Sequence, residues 1–346
     1  MKKVLILGGT GAMGVYLVKI LSQEKEMEVI VTSRSVRQDF DNVHFVKGNA
    51  REDHFISNIL TNNHYDAIVD FMNYNYEEFK ARHRMLLSST DHYIFLSSSR
   101  VYDYSPIPLT EDSPRLLDKT TDKVFLSTNR YALRKAREED MLNNSGFKNY
   151  TIIRPYITYS DRRLQLGICE KEDWLWRVLH DKEILFSERV LDKKTTLTFG
   201  EDVSQGISRI VVNGHPTGIP VHITTEETMT WGEILELYKT IIKKETGKEI
   251  GIYTSQEIKP IEEIYEGGYN TIYDRQWDRC FCNTKAEQIC GHIDYKGMKE
   301  GLSSCLNSFL FDWKREGDSI FLPLNKDYHS TMDALLTDDH INKKKV

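Results

Sequence analysis

Short, almost continuously apolar runs alternate with longer stretches of helical period from residue 3 to about residue 157. The runs at 3–7, 28–32, 43–46, 66–71, 91–97 and 149–153 read as strands. Tyr93-Ile94-Phe95-Leu96 and Tyr150-Thr151-Ile152-Ile153 carry too few polar positions to leave either face in water. Strands of that kind are covered by helices on both sides, so the alternation predicts βαβ units around a doubly wound parallel sheet. A helix over 128–145 ends at Ser145-Gly146, where glycine can take the left-handed conformation. Beyond Arg154-Pro155 the rhythm breaks down, and residues 158–195 set Trp174, Trp176 and Phe186 among many charges. A helical pattern returns at 203–212, a strand at 219–224, and a further helix over 231–246 carries Trp231, Ile234, Leu235 and Tyr238 on one face. The pattern predicts a sheet domain over 1–157 with a returning segment at 196–224. A smaller mixed α/β lobe follows from 158–195 and 225–330, and a tail at 331–346 frays into Lys343-Lys344-Lys345.

Composition narrows the class. The chain has 346 residues, enough for about two domains at roughly 150 residues each. Its 46 Lys+Arg against 52 Asp+Glu give a formal charge of −6, which argues against a nucleic-acid partner. A mean hydropathy of −0.49 and the lack of any long apolar run argue against a membrane partner. The run Val4–Leu7 after Lys2-Lys3 is too short for an export signal, and the 5 cysteines do not look like a disulfide framework, so a cytoplasmic location is expected. Cys280, Cys282, Cys290 and His292 lack the spacing of a zinc site, and no metal is expected.

Gly8-Gly9-Thr10-Gly11-Ala12-Met13-Gly14 lies between the first strand and a helix carrying Val15, Leu17, Val18 and Leu21. The G-x-x-G-x-x-G spacing allows a tight turn, close approach of backbone to a pyrophosphate, and an anion seated at the helix N-terminus. The flanking strand and helix are the context that the motif requires, so a dinucleotide is the predicted ligand. An acid about 20 residues past the glycines would bind a ribose 2′-OH, whereas an Arg accommodates a 2′-phosphate. The second strand ends in Val31-Thr32-Ser33-Arg34-Ser35 with no acid before Asp39. Ser33 and Arg34 therefore point to NADP(H), with NAD as the alternative.

Tyr131 and Lys135 stand four residues apart and share one face of a helix. A free phenol titrates at about 10 and needs a cationic neighbour to act as a base at neutral pH. Ser97-Ser98-Ser99-Arg100-Val101-Tyr102 closes the fifth strand at the carboxyl edge, where doubly wound sheets bind ligands. The glycine loop, the serine-rich strand end with Val-Tyr, Y-x-x-x-K and Arg-Pro after the sixth strand, in this order, resemble the extended short-chain dehydrogenase/reductase superfamily. Within it the pattern is similar to the NAD-dependent epimerase/dehydratase family typified by UDP-glucose 4-epimerase.

The resemblance implies an α/β, Rossmann-type fold with a smaller C-terminal substrate lobe. It implies Tyr131 as acid/base, Lys135 on the nicotinamide ribose and lowering the phenol's pKa, and Ser98, with Ser99 beside it, bonding the reacting oxygen. Cofactor contacts would come from Gly8, Thr10, Gly11, Ala12, Met13, Gly14, Ser33, Arg34 and Asn49. Phe71, Met72 and Asn73 after the fourth strand, Ser97, Tyr131, Lys135 and Pro155 would add to them. Two departures narrow the chemistry. Ser99 and Arg100 stand where 4,6-dehydratases carry Asp-Glu, so the second base of an elimination is missing. Thr195 stands where an Arg grips the substrate pyrophosphate, leaving Lys193, Lys194, Arg162, Arg163, Arg275 and Arg279 as other cations. The expected protein is an NAD(P)-dependent oxidoreductase or epimerase acting on a sugar or nucleotide sugar. It would be an epimerase with retained cofactor or a keto-sugar reductase using NADPH, with a homodimer through the Tyr131 helix open to it. The alternative is a non-catalytic NADP(H)-binding regulatory or RNA-associated protein.

Overall fold

The computed structural model describes residues 1–61, 63–257 and 268–345. Six parallel strands form in chain order: β1 (Lys2–Leu7), β2 (Met27–Ser33), β3 (Val43–Lys47), β4 (Ala67–Asp70), β5 (Tyr93–Leu96) and β6 (Tyr150–Ile153). The strand Pro220–Val221 adds a seventh beside β6, and the spatial order runs from it through β6, β5, β4, β1 and β2 to β3. The order reverses between β1 and β4, which opens a crevice at their carboxyl ends.

Side chains along β1 alternate between two cores. Val4 and Ile6 pack with Leu17, Val18 and Leu21 of helix α1 (Gly14–Leu21) and with Val203, Ile207 and Ile210 of the helix Gly200–Asn213. Leu5 and Leu7 point the other way, onto Ile56 and Leu60 of α2 (Asp53–Leu60) and Phe79 and Leu86 of α3 (Tyr76–Ser88). The period of two in the strand and about 3.6 in the helices makes both faces apolar at once. The helix expected over 128–145 runs from Tyr131 to Asn143. It starts late because Arg137 donates to the carbonyls of Thr128 and Leu126, both at 2.6 Å, which holds that segment as a separate turn.

The second lobe has its own core. Trp174, on the helix Lys171–Leu179, is fully buried and stacks on Tyr238 of the helix Trp231–Thr246, with centroids 4.9 Å apart and planes 3° from parallel. Its indole N–H donates to the Leu164 carbonyl at 3.2 Å. The strand Ile184–Ser187 pairs in parallel with Ile252–Ser255. The expected tail is corrected here. The helix Lys326–Thr337 buries Tyr328, Met332 and Leu335 in the lobe's core, and Lys344–Lys345 pairs antiparallel with Tyr253 and Thr254. The spacing of those three residues is that of one helix face, which makes the segment a docked element. Among the described residues no helix is long and apolar enough to cross a membrane.

Two predictions follow from the packing. His92, just before β5, is buried with Nε2 2.8 Å from Thr151 Oγ1, and burial, aided by His215, pushes its imidazole down to about 4. The unfolded chain then takes up a proton near pH 6.5 that the folded chain refuses until about pH 4. Unfolding free energy should therefore fall by on the order of 3 kcal/mol as the pH drops through that window. His92→Gln should flatten the slope in urea titrations at several pH values, and an unchanged slope would refute the assignment. A Cβ on Gly14 would lie 2.6 Å from the Gly9 Cα, whereas one on Gly11 meets only the Gly8 oxygen at 3.5 Å. Gly14→Ala should cost about 1–3 kcal/mol by overpacking, and Gly11→Ala less than about 0.5 kcal/mol, in the same urea titrations.

Candidate active site

The turn between β1 and α1 opens on Gly8 at φ +73°, a conformation that favours glycine. The Gly8 N–H donates to Thr32 Oγ1 at 3.2 Å, and the Gly11 N–H donates to the Gly8 carbonyl at 3.2 Å. Helix α1 has no acidic residue in its first turn, and Met13 at its N-cap supplies no side-chain acceptor. The Val15 and Tyr16 N–H groups turn back to the Gly11 and Met13 carbonyls at 3.2 and 3.0 Å, and the positive end of the helix dipole is left without an acidic side chain. Gly11 is exposed, with Thr10, Ala12 and Met13 half-buried around it, so the cradle fits a dinucleotide pyrophosphate. The Met13 carbonyl accepts from Ser204 Oγ at 2.9 Å, which docks the Gly200–Asn213 helix against the loop.

The other sequence-derived cofactor positions ring the carboxyl edge. Phe71 and Met72 follow β4 and lie against Gly8, where a Cβ would meet Met72 Sδ at 3.2 Å. Asn73 is exposed and accepts from Arg134 at 2.8 Å through Oδ1. Asn49, half-buried, accepts from the Arg51 N–H at 3.1 Å and donates to Glu52 at 3.2 Å. Ser33 is buried, with its hydroxyl donating to the Ser35 carbonyl at 2.9 Å, and Arg34 is exposed at the end of β2. Asp39, the first acid after β2, is turned away. Its two oxygens take the Phe45 N–H at 2.8 Å and His44 Nδ1 at 3.1 Å, and these bonds hold its carboxyl below the usual range.

Three consecutive serines leave β5 with different partners. Ser97 donates to Glu139 Oε1 at 2.6 Å, and Ser99, fully buried, donates to the Arg154 carbonyl at 2.7 Å. Ser98 instead accepts from the Arg100 N–H at 3.2 Å, keeping its own proton for another acceptor. This corrects the expectation for Ser99: its hydroxyl is locked onto backbone and cannot bond a reacting oxygen. The hydroxyl of Ser97, expected among the cofactor contacts, turns inward to Glu139. Pro155 is buried, and its carbonyl accepts from the Ser99 N–H at 2.9 Å, which fixes the strand end.

Tyr131 is the first residue of its helix, with the Arg100 guanidinium 5.1 Å and the Arg134 guanidinium 5.6 Å from its ring centre. Lys135 lies one turn on, buried against the Phe95 ring, with Nζ 2.9 Å from Glu138 Oε2. The lysine expected to serve Tyr131 is therefore already paired with a carboxylate, and arginines flank the ring. Glu138 and, at the end of β4, Asp70 are both fully buried. Burial pushes both carboxyls up, opposed at Glu138 by Lys135 and at Asp70 by Tyr93, whose hydroxyl donates at 2.7 Å. Glu138 was legible as the residue three after Lys135 and four after Arg134. Asp274, which contacts Arg100, Arg275 and Arg279, left no local signal in the sequence.

The cysteine-rich segment stays dispersed. Cys282 Sγ meets Thr284 Oγ1 at 3.2 Å and His292 lies 3.6 Å from Glu287. Among the described residues no three His, Cys, Asp or Glu side chains converge as metal ligands.

Comparison with known proteins bears on the fold and the family. Among curated protein sequences none matches the chain. Solved structures do. An enzyme of Bordetella bronchiseptica, WbmH, in complex with NAD+ aligns over 92% of this chain and 99% of its own, with 18% identity and a TM-score of 0.65. UDP-glucuronic acid 4-epimerase from Bacillus cereus, in complex with NAD, aligns over 92% and 100% at 14% identity and a TM-score of 0.66. The dTDP-glucose 4,6-dehydratase of Bacillus anthracis, in complex with NAD, aligns over 94% and 100% at 16% identity and a TM-score of 0.65. These likenesses show the fold, and the model of the NAD dependent epimerase/dehydratase family matches residues 4–217. With that match over more than half its length, the chain belongs to the NAD-dependent epimerase/dehydratase family of enzymes.

Proposed function

We propose that the protein is an NAD(P)-dependent enzyme that oxidises and reduces a carbinol carbon of a sugar, nucleotide-linked, with Tyr131 as its acid/base. The observation that carries this reading is the bridging position of Arg100. Its N–H touches the Ser98 hydroxyl while its guanidinium lies on the Tyr131 ring, so one residue lies against both side chains. A bound nicotinamide supplies the hydride acceptor and donor. Ser98 holds the reacting oxygen, and Tyr131 takes or returns its proton at the phenolic oxygen. The guanidinium groups of Arg100 and Arg134 flank the ring of that phenol. Lys135, paired with Glu138 one turn along the same helix, would hold the nicotinamide ribose. A guanidinium has no acceptor, so Arg100 cannot serve as the base of an elimination, and dehydration is disfavoured.

The same residues serve an epimerase that retains its cofactor and a reductase that exchanges it. The solved neighbours described as UDP-glucuronic acid 4-epimerase and dTDP-glucose 4,6-dehydratase support a nucleotide-sugar substrate. The exposed Arg34, with Asp39 turned away from it, supports NADP(H).

Denaturing the purified protein and identifying the released dinucleotide separates the two modes: a retained nucleotide marks the epimerase and an empty site the reductase. Tyr131→Phe should keep dinucleotide affinity within about twofold and lower hydride exchange by about 10²–10⁴-fold on UDP- and dTDP-linked hexoses. Turnover at the wild-type level would sink the catalytic assignment. Arg34→Ala should weaken NADPH binding by about tenfold and leave NADH binding unchanged, and tighter wild-type binding of NADH would overturn the NADP(H) preference.

A further inference from the structure

Two carboxylates are fully buried where β4 and β5 meet the Tyr131 helix, and they are satisfied very differently. Asp70 has partners on both oxygens. Its Oδ1 accepts from the Met72 N–H at 3.0 Å and from Tyr74 Oη at 3.3 Å, and its Oδ2 accepts from Tyr93 Oη at 2.7 Å. Glu138 accepts no hydrogen bond at either oxygen among the described residues. It is held by charge alone, with Lys135 Nζ 2.9 Å from Oε2 and Arg134 Nε 3.7 Å from Oε1. Lys135 Nζ donates no hydrogen bond among the described residues either, although its side chain is only 2% exposed and lies against the Phe95 ring, with Nζ 4.6 Å from the ring centre. An ammonium carries three donors and a carboxylate only acceptors. Burying both without hydrogen bonds is costly, so packing does not account for the pair.

The pair is also placed for a ligand. Tyr131, Lys135 and Glu138 follow one another at helical spacing and stand in line on one face of their helix. Asp70 is the last residue of β4, and Phe95 stands one before the end of β5, so that line meets the carboxyl edge of the sheet next to the crevice. Arg134, the other cation at Glu138, has a partner of its own, since Nη2 donates to Asn73 Oδ1 at 2.8 Å. Among the described residues Glu138 is the one carboxylate in ion-pair contact with Lys135. The unspent donors of Lys135 fit the diol of a nicotinamide ribose, whose hydroxyl oxygens can accept them.

We propose that Glu138 is a positioning residue for the nicotinamide half of the dinucleotide: its carboxylate fixes the Lys135 ammonium by charge while taking none of its N–H donors, which stay available to ribose hydroxyls. Glu138 acts through Lys135 and does not touch the ligand. Glutamine at 138 would keep the shape and lose the charge, leaving a buried ammonium without its counter-ion. The inference rests on the reading of Lys135 given above, but binding can be read without turnover.

The test is calorimetric titration of the wild type, Glu138→Gln, Lys135→Met and the double variant with two series of ligands. One series is NADPH, ADP-ribose 2′-phosphate and adenosine 2′,5′-bisphosphate; the other is NADH, ADP-ribose and ADP. In each the second ligand keeps the distal ribose without the nicotinamide, and the third lacks both. In the series that the wild type binds, Glu138→Gln should weaken the first two ligands by about tenfold, the worth of one charge-assisted hydrogen bond, and leave the third within about twofold. With Lys135 already replaced, Glu138→Gln should cost less than about twofold more, because its effect passes through the lysine. A residue that served only the fold would weaken all three ligands alike and cost the same in both backgrounds; either result, or no weakening at all, overturns the proposal. Affinity for the third ligand reports the folding of each variant. Should Glu138→Gln not fold, Glu138→Asp, which draws the carboxylate back by one methylene, should show the same selective loss, and unchanged affinities there would overturn the proposal. Weakening by Lys135→Met with none by Glu138→Gln strikes this inference alone, whereas full dinucleotide affinity in Lys135→Met strikes the reading of Lys135 on which it rests.

Discussion

A buried, two-pronged ion pair between Glu139 and Arg154 holds the site together. Arg154 Nε lies 2.8 Å from Oε1 and Nη2 2.6 Å from Oε2, with both residues under 5% exposed. Each partner also ties down a further segment. Ser97 at the end of β5 donates to Glu139, Arg115 reaches the same carboxylate at 3.3 Å, and Arg154 Nη1 donates to the Glu111 carbonyl at 3.3 Å. The Arg154 guanidinium lies 4.8 Å over the Tyr102 ring, and Glu139 opposite keeps it firmly protonated. A buried pair of this kind adds little net stability over an apolar replacement, yet it tolerates only one geometry. Its contribution is therefore position: the end of β5, the end of β6 and the Tyr131 helix have one way to fit, and that fit sets Ser98 and Tyr131 at the crevice.

Charge is distributed unevenly around that hub. On the β4 side of the Tyr131 helix, Lys135 faces Glu138 at 2.9 Å, with Asp70 also acting on it, so acids meet the cation there. On the other side three arginines share Asp274. Tyr131 stands between the two, with guanidinium groups over its ring. Low effective dielectric makes each imbalance count for more than it would in water. Overall charge would not have shown this, because −6 over 346 residues says nothing of where the cations gather.

The strands were legible because a buried parallel strand must be apolar over its whole length; β1 to β6 fall within two residues of the limits read from the sequence. The glycine loop and the Tyr131-Lys135 spacing were legible because they are local, set by turn geometry and by the rise of one helix. What the serines do was not. Ser97, Ser98 and Ser99 are chemically identical, and only the partners brought by the Tyr131 helix and β6 decide that two are locked inward and one is free. The partner of Lys135 was available three residues away but carries no signal until burial makes a surface-style pair an interior one. Asp274 and Arg100 are far apart along the chain and meet only because the lobe folds back over the sheet, so no spacing rule could join them.

Arg100 also links the two halves mechanically. Its backbone belongs to the turn after β5, and its N–H is committed to Ser98. Its side chain is committed to Asn270 and Asp274, which belong to the lobe. The neighbouring lobe residues are held to the sheet domain by other bonds: Tyr273 stacks on Phe125 at 4.1 Å and donates to Asp122 at 2.7 Å. A lobe that shifted away would have to break these contacts together and leave Asp274 with fewer cations and Arg100 with none of its acid. Buried ionic groups that lose one partner are far costlier than those that keep both. Seating of the lobe and completion of the site are therefore a single event.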